Sequence, residues 1–198
     1  TPGESYFRNA TLPLATGDRT ADSQGADNGA LVYRYDGQCT WTVKEPDLDM
    51  SLRLEDFHPA IDGYIKDGEA KLGAIHSNHV EVACRITGKL VAQGKTYDID
   101  GLGMRDHGWG ARDWSAVLAH RWNVGAFDRD NSFCAVTMYL SSNEIARFGW
   151  VVRGDKVIYA DQIEITAHMA NDGASNVGGR TLMVLSTGER FDVQSEPV

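Results

Sequence analysis

Between Gly101 and Trp114 the chain reads GLGMRDHGWGARDW, which places two Arg-Asp pairs, a histidine, two tryptophans and four glycines in fourteen residues. Asp106 beside His107 suits acid–base work, because burial and neighbouring charge can set either proton affinity near neutrality. Arg105 and Arg112 can hold Asp106 or Asp113 ionised by bidentate pairing. Trp109, Trp114 and Trp122 offer an apolar wall, and a Trp face stabilises a cation by about 0.5–2 kcal/mol. Together these groups could protonate an unactivated alkene and shelter the carbocation that results. The same residue types also build a rigid corner, with Arg–Asp pairs tying down a loop and Trp plugging a barrel end. That competing arrangement needs no catalysis.

The elements that must position these residues read as strands. A strand ending near Leu102 would deliver Asp106 and His107 to a rim, and Gly108 and Gly110 would let the backbone turn around Trp109. From Gly29 onward the dominant period is two, first in ALVYRYD, CTWTVKE and LDMSLRLEDF. From His79 to Val91, Val80, Val82, Cys84 and Ile86 point one way, and His79, Glu81, Arg85 and Thr87 point the other. YDIDGLGM, HRWNVGAF, SFCAVTMYL, IARFGWVVRG, KVIYADQIEITA and RTLMVLS follow, separated by hairpin breaks such as Asp128–Asn131, Ser141–Glu144 and Gly154-Asp155. A helical turn fits only in the loose arm 1–28 or between Ala111 and Leu118. The expected fold is therefore all-β over residues 29–198, with about ten antiparallel strands forming a barrel or sandwich.

Composition removes several function classes. A net charge of −9 with no Lys/Arg cluster argues against nucleic acid and anionic membrane surfaces. No apolar run approaches the roughly 18 residues that a membrane span needs. The opening TPGESYFRNATLPLATGD has neither the basic start nor the apolar core of a signal peptide, and the missing initiator Met points to processing or shortening. Cys39, Cys84 and Cys134 are widely spaced in apolar stretches, as expected of reduced, buried thiols in a cytoplasmic protein. His76, His79, Glu81 and His107 are the conceivable metal ligands, but His76 and His79 face opposite sides of a continuous strand, so no metal is expected. The glycines of GLGMRD lack the βαβ context of a dinucleotide site, and Ser115 lacks a strand-to-helix elbow. No cofactor is expected. Tyr139 and Trp150 alternate with apolar neighbours as core residues do, and Tyr139 is retained as a candidate pocket hydroxyl.

The run HVEVACRITGKLVAQGKTYDIDGLGMRDHGWGARDW resembles proteins related to carotenoid 1,2-hydratase (hydroxyneurosporene synthase) and AttH. The likeness rests on His79 and Glu81, then Gly88 and Gly94, then the Arg-Asp-His-x-Trp-Gly-x-Arg-Asp-Trp signature ending at Trp114, and it covers roughly residues 30 to 130. The resemblance implies a calycin-like architecture of two lipocalin-type barrels or half-open sandwiches, here with a junction near residues 110–120, in proteins usually longer than this one. It also implies a hydrophobic cavity, with His107 and Trp109 in the active site and Asp128 and Tyr139 as downstream candidates by position.

The expected activity is a cofactor-independent lyase that adds water to an alkene of an isoprenoid-like substrate. Asp106 and His107 form the acid–base pair in this reading and Trp109 shields the cation. Trp114, Trp122, Tyr139, Glu81 and His79 line the substrate, and Arg105, Arg112 and Asp113 hold the loop. The alternatives are a lipid or isoprenoid carrier, a cyclase on the same fold, and a structural β-domain. The abrupt end after FDV suggests part of a longer protein, and an edge left by a missing domain favours a homodimer.

Overall fold

Period-two sequences become strands because alternate side chains then share a face, and here the turns between them are short enough to pair successive strands antiparallel. The structure is a computed structural model and describes residues 23–27, 30–62, 65–66, 69–70, 78–109, 113–173 and 175–196. The strands are β1 (Ser23–Asp27), β2 (Leu31–Asp36), β3 (Cys39–Glu45), β4 (Leu48–Asp56), β5 (Ile61–Asp62), β6 (Ile65–Lys66), β7 (Glu69–Ala70) and β8 (Asn78–Ala92). After these come β9 (Lys95–Trp109), β10 (Val117–Ala126), β11 (Asn131–Leu140), β12 (Ile145–Arg153), β13 (Lys156–Met169), β14 (Asn176–Leu185) and β15 (Arg190–Ser195). One 3-10 turn, Trp114–Ala116, is the helical element among the described residues, inside the segment where the sequence allows one. The all-β expectation holds.

The chain divides into two units, crossing between them at 55/56, 85/86 and 101/102. Residues 113–120 therefore fall inside the second unit. The first unit holds the described residues up to Glu55 together with Ile86–Gly101. Its sheet runs β1-β2-β3-β4-β8, with β9 paired to β8. The last residues of the expected arm form β1, in which Ser23 to Asp27 pair with Asp36 to Val32. Tyr33 and Trp41 are cross-strand partners with ring centroids 4.9 Å apart. Gly88 sits at φ +149°, and a Cβ there would lie 2.0 Å from the Ser51 carbonyl oxygen, so β4 and β8 approach as closely as they do because this residue has no side chain.

The second unit holds Asp56–Arg85 and the chain from Leu102 onward. Its main sheet is β10-β11-β12-β13-β14-β15, while Ile61 and Asp62 of β5 pair with Glu81 and Val80 of β8. Both faces of β11 are buried. Cys134, Val136 and Met138 pack with Ile61, Phe148, Trp150 and Val152 on one face. Phe133 and Ala135 pack with Val151, Ile163, Met183, Leu185 and Phe191 on the other. This second layer arises because β13 changes partner: Lys156–Tyr159 pair with β12, the register slips between Ala160 and Gln162, and the rest pairs with β14. A strand that passes from one sheet to another at an irregularity is a usual way to turn a corner.

Two sequence expectations change. β9 does not end near Leu102; it continues through Trp109, so Asp106 and His107 lie within a strand rather than on a rim turn. From His79 to Cys84, β8 does not have one polar face, because His79, Glu81, Val82, Ala83 and Cys84 are all buried. The three cysteines are buried, as the sequence suggests.

Candidate functional site

Strand geometry decides which of the candidate residues meet. Asp106 and His107 are adjacent in β9 and so project to opposite faces. Asp106 faces His79 of β8 instead, with Nε2 of His79 2.7 Å from Oδ1 of Asp106. An ionised carboxylate only accepts hydrogen bonds, so Nε2 carries the proton and Nδ1 turns toward Glu81, whose Oε1 lies 3.9 Å away. The imidazole is thus placed between two carboxyl groups. One is buried, with Glu81 1% exposed, and the other opens outward, with the Asp106 side chain 39% exposed.

The main sheet covers this cluster with apolar side chains. Trp122 of β10 meets the His79 ring edge-on at 6.1 Å between centroids. Trp122 and Val136 are register partners, as are Val124 and Cys134, and Cys134 and Trp150, so these side chains share one face. Burial raises the proton affinity of Glu81 above its ordinary value of 4.5, although the Cys134 thiol, His79 and the Trp122 indole N–H pull it back. Neither the thiol nor the indole reaches Glu81 with full hydrogen-bond geometry, and both carboxyl oxygens are left without a standard hydrogen bond. The indole Nε1 of Trp150, itself 0% exposed, is likewise without one. Burial, then the charge of Glu81, drives the Cys134 thiol well above its ordinary range.

The raised Glu81 affinity has a consequence for stability. A carboxyl whose folded pKa lies above its unfolded one stabilises the fold at low pH, and that contribution is lost as pH climbs through the folded value. Glu81→Gln cannot ionise, so its melting temperature relative to the parent is expected to rise as pH increases from about 4.5 toward neutrality, because only the parent then carries a buried charge. Paired thermal melts across that range check this, and a pH-independent difference would refute it.

Arg105 projects away from Asp106 and pairs with Asp56 of β4, Nε to Oδ1 at 3.3 Å and Nη2 to Oδ2 at 2.7 Å. It therefore does not hold Asp106 or Asp113. Asp113 instead caps the 3-10 turn, accepting from the Ser115 amide at 3.0 Å. His107 is partly buried, and burial followed by the charge of Arg105 lowers its proton affinity. Trp114 is 58% exposed on the turn, and Tyr139 projects from the β11 face opposite Cys134, so neither joins the cluster. Asp128 accepts from Asp130 and Asn131 in the β10–β11 turn. Arg112, Gly110 and His76 lie outside the described residues, as does the Trp109 side chain. No group of three His, Cys, Asp or Glu residues among those described is arranged to hold a metal ion. An open groove of about 590 Å³ lies elsewhere, lined by Phe127, Arg153, Phe191 and neighbours, and of the candidate residues only Asp128 borders it.

Cys134 and Trp150 lie beside Glu81, and Asp56 anchors Arg105 on the other face of β9, without any of the three having been singled out as functional in the sequence. Their partners lie far along the chain, and only a two-dimensional strand order brings them together.

A family model described as "Domain of unknown function (DUF7064)" matches residues 1–198. The chain belongs to the DUF7064 family. This DUF7064 chain is 30% identical over 169 residues to a protein of Aspergillus fumigatus named ceramide-binding protein svf1, a match covering 78% of the chain and 42% of that relative. The DUF7064 chain thus spans less than half the length of this curated relative. A crystal structure from Nitrosomonas europaea, provisionally assigned as AttH, superposes with a TM-score of 0.60 at 10% identity, covering 84% of the DUF7064 chain and 58% of the other. That likeness establishes the fold, and the calycin-like, all-β expectation stands. No helix among the described residues of the DUF7064 chain is long and apolar enough to cross a membrane.

Proposed function

We propose that this chain binds a lipophilic small molecule, with the polar head at the Glu81–His79–Asp106 cluster. The observation that carries this reading is Glu81, buried in an apolar setting with both carboxyl oxygens short of hydrogen bonds. An unsatisfied buried polar group costs about 1–3 kcal/mol, so such a group is retained where something else supplies its partner. Met104, Ala116, Val117, Val124 and Leu140 are only partly covered around the same face and mark a path for an apolar tail. The ceramide-binding name of the fungal relative supports a ligand of this kind.

Native mass spectrometry of the purified chain, before and after adding a short-chain ceramide, tests the reading. The expected result is a one-to-one adduct from which the lipid is recovered unchanged. An empty protein that takes up neither ceramide, nor a fatty alcohol, nor an isoprenoid would sink it. The same spectrum tests the expected homodimer.

A second reading is an acid–base enzyme that adds water to a lipophilic alkene. It is favoured by the placement of His79 between a buried acid and an outward-facing carboxylate. In that reading the proton transfers fall to Glu81, His79 and Asp106 rather than to Asp106 with His107. One alkene carbon takes a proton and the other the hydroxyl of water, so recovery of the ligand heavier by one water supports it.

A further inference from the structure

Two buried polar side chains on one interior face have hydrogen-bonding capacity that the protein leaves unused. Glu81 offers both carboxyl oxygens and Trp150 offers its indole N–H. They are close in the fold, because Cys134 lies beside Glu81 and is the register partner of Trp150. Their chemistry narrows what can sit between them. An indole N–H only donates, so it requires an acceptor, whereas a carboxyl group can accept and, when protonated, also donate.

Charge narrows it further. The groups that could receive an anion are already engaged, Arg105 by Asp56 on the other face of β9 and His79 Nε2 by Asp106. Among the described residues, an anionic head would meet Glu81 and Asp106 while the Arg105 guanidinium is turned to Asp56. An ammonium head could pair with Glu81, but it has no acceptor for the Trp150 N–H, and a buried ion pair must overcome the desolvation of both charges. A head that is uncharged and both accepts and donates can serve Glu81 and Trp150 together.

We propose that Glu81 and Trp150 are the head-group anchors of the ligand site, and that they select an uncharged hydroxyl or amide head over carboxylate, phosphate or ammonium heads. This rests on the ligand-binding reading above and adds to it the residues and the head chemistry. The burial of Glu81, which raises its proton affinity, agrees with it, with His79 on β8, Asp106 on β9, Trp122 on β10 and Cys134 on β11 facing the same carboxyl.

The test uses one alkyl chain of fixed length carrying an amide, an alcohol, a carboxylate, a phosphate or an ammonium head, titrated calorimetrically below micelle-forming concentrations. The amide and alcohol are expected to bind at least about tenfold more tightly than the three charged forms, which is about 1.4 kcal/mol. Glu81→Gln keeps a donor and an acceptor, so it is expected to hold the amide within about threefold, whereas Glu81→Leu is expected to lose about tenfold. Trp150→Phe removes the N–H while keeping most of the ring and is expected to lose several-fold, which serves if Glu81→Leu fails to fold. Equal or tighter binding of a charged head, or undiminished amide binding by Trp150→Phe, overturns the assignment while leaving ligand binding intact. Binding of none of the five overturns the ligand-binding reading and this assignment with it.

Discussion

An Asp56→Ala variant is expected to unfold with about 3 kcal/mol less free energy than the parent, since removing one member of a buried ion pair typically costs about 3–5 kcal/mol. The lower end is chosen because the Asp56 side chain is 22% exposed, although Arg105 is only 8% exposed. What the substitution leaves behind is a largely buried guanidinium deprived of the Asp56 carboxylate. A domain stable by about 5–15 kcal/mol would lose a large share of its margin. The fall is read from urea unfolding midpoints at neutral pH. Arg105→Met in the Asp56→Ala background removes the stranded charge and is expected to restore part of the loss. A loss below about 1 kcal/mol for Asp56→Ala would place the pair with ordinary surface bridges and refute its structural weight.

Gly88→Ala is expected to be still more damaging, at about 4 kcal/mol, because two penalties fall on one residue. The φ of +149° is outside what an L side chain adopts readily, and the added Cβ would sit 2.0 Å from Ser51 O and 3.0 Å from Leu52 Cα. Strained backbone and overpacking each cost about 1–3 kcal/mol, and the obstacle here is main chain that cannot rotate aside. Gly94 supplies the control. Its φ is +73° and nothing lies within 4 Å of a Cβ, so Gly94→Ala bears only the backbone strain of about 1 kcal/mol. Unfolding curves of the two variants side by side decide the matter, and equal losses would show that the β4–β8 approach is not what constrains Gly88.

Much of the fold was legible because strands announce themselves by alternation. CTWTVKE became β3 over the same residues, and the Asp36-Gly37 break became a turn with Gly37 at φ +65°. Alternation failed in β8, where both faces are covered. A rule that assigns the polar side to solvent could not see that His79 and Glu81 are interior. Glycine misled in β9, since Gly108 reads as a turn residue yet lies within the strand.

The candidate site was legible in its membership more than in its wiring. Asp106, His79, Glu81 and Trp122 were all recognised as site candidates and do assemble. Neighbours in sequence made Asp106 and His107 look like a pair, but consecutive strand residues diverge, and Asp106 meets a histidine 27 positions earlier. Arg105 and Asp56 are separated by 49 positions. Contacts of that range depend on strand order, which no local spacing encodes.

The three buried thiols have a practical consequence. A thiol reacts with an alkylating agent only when its segment opens to solvent, so each cysteine works as a clock for the motion that uncovers it. Cys39 lies in the first unit, Cys84 on the shared strand β8, and Cys134 under the sheet that covers Glu81. Labelling rates taken at the three sulfurs therefore separate the fraying of one unit from the breathing of the other. If a ligand head docks at Glu81, the clock at Cys134 is the one that should slow.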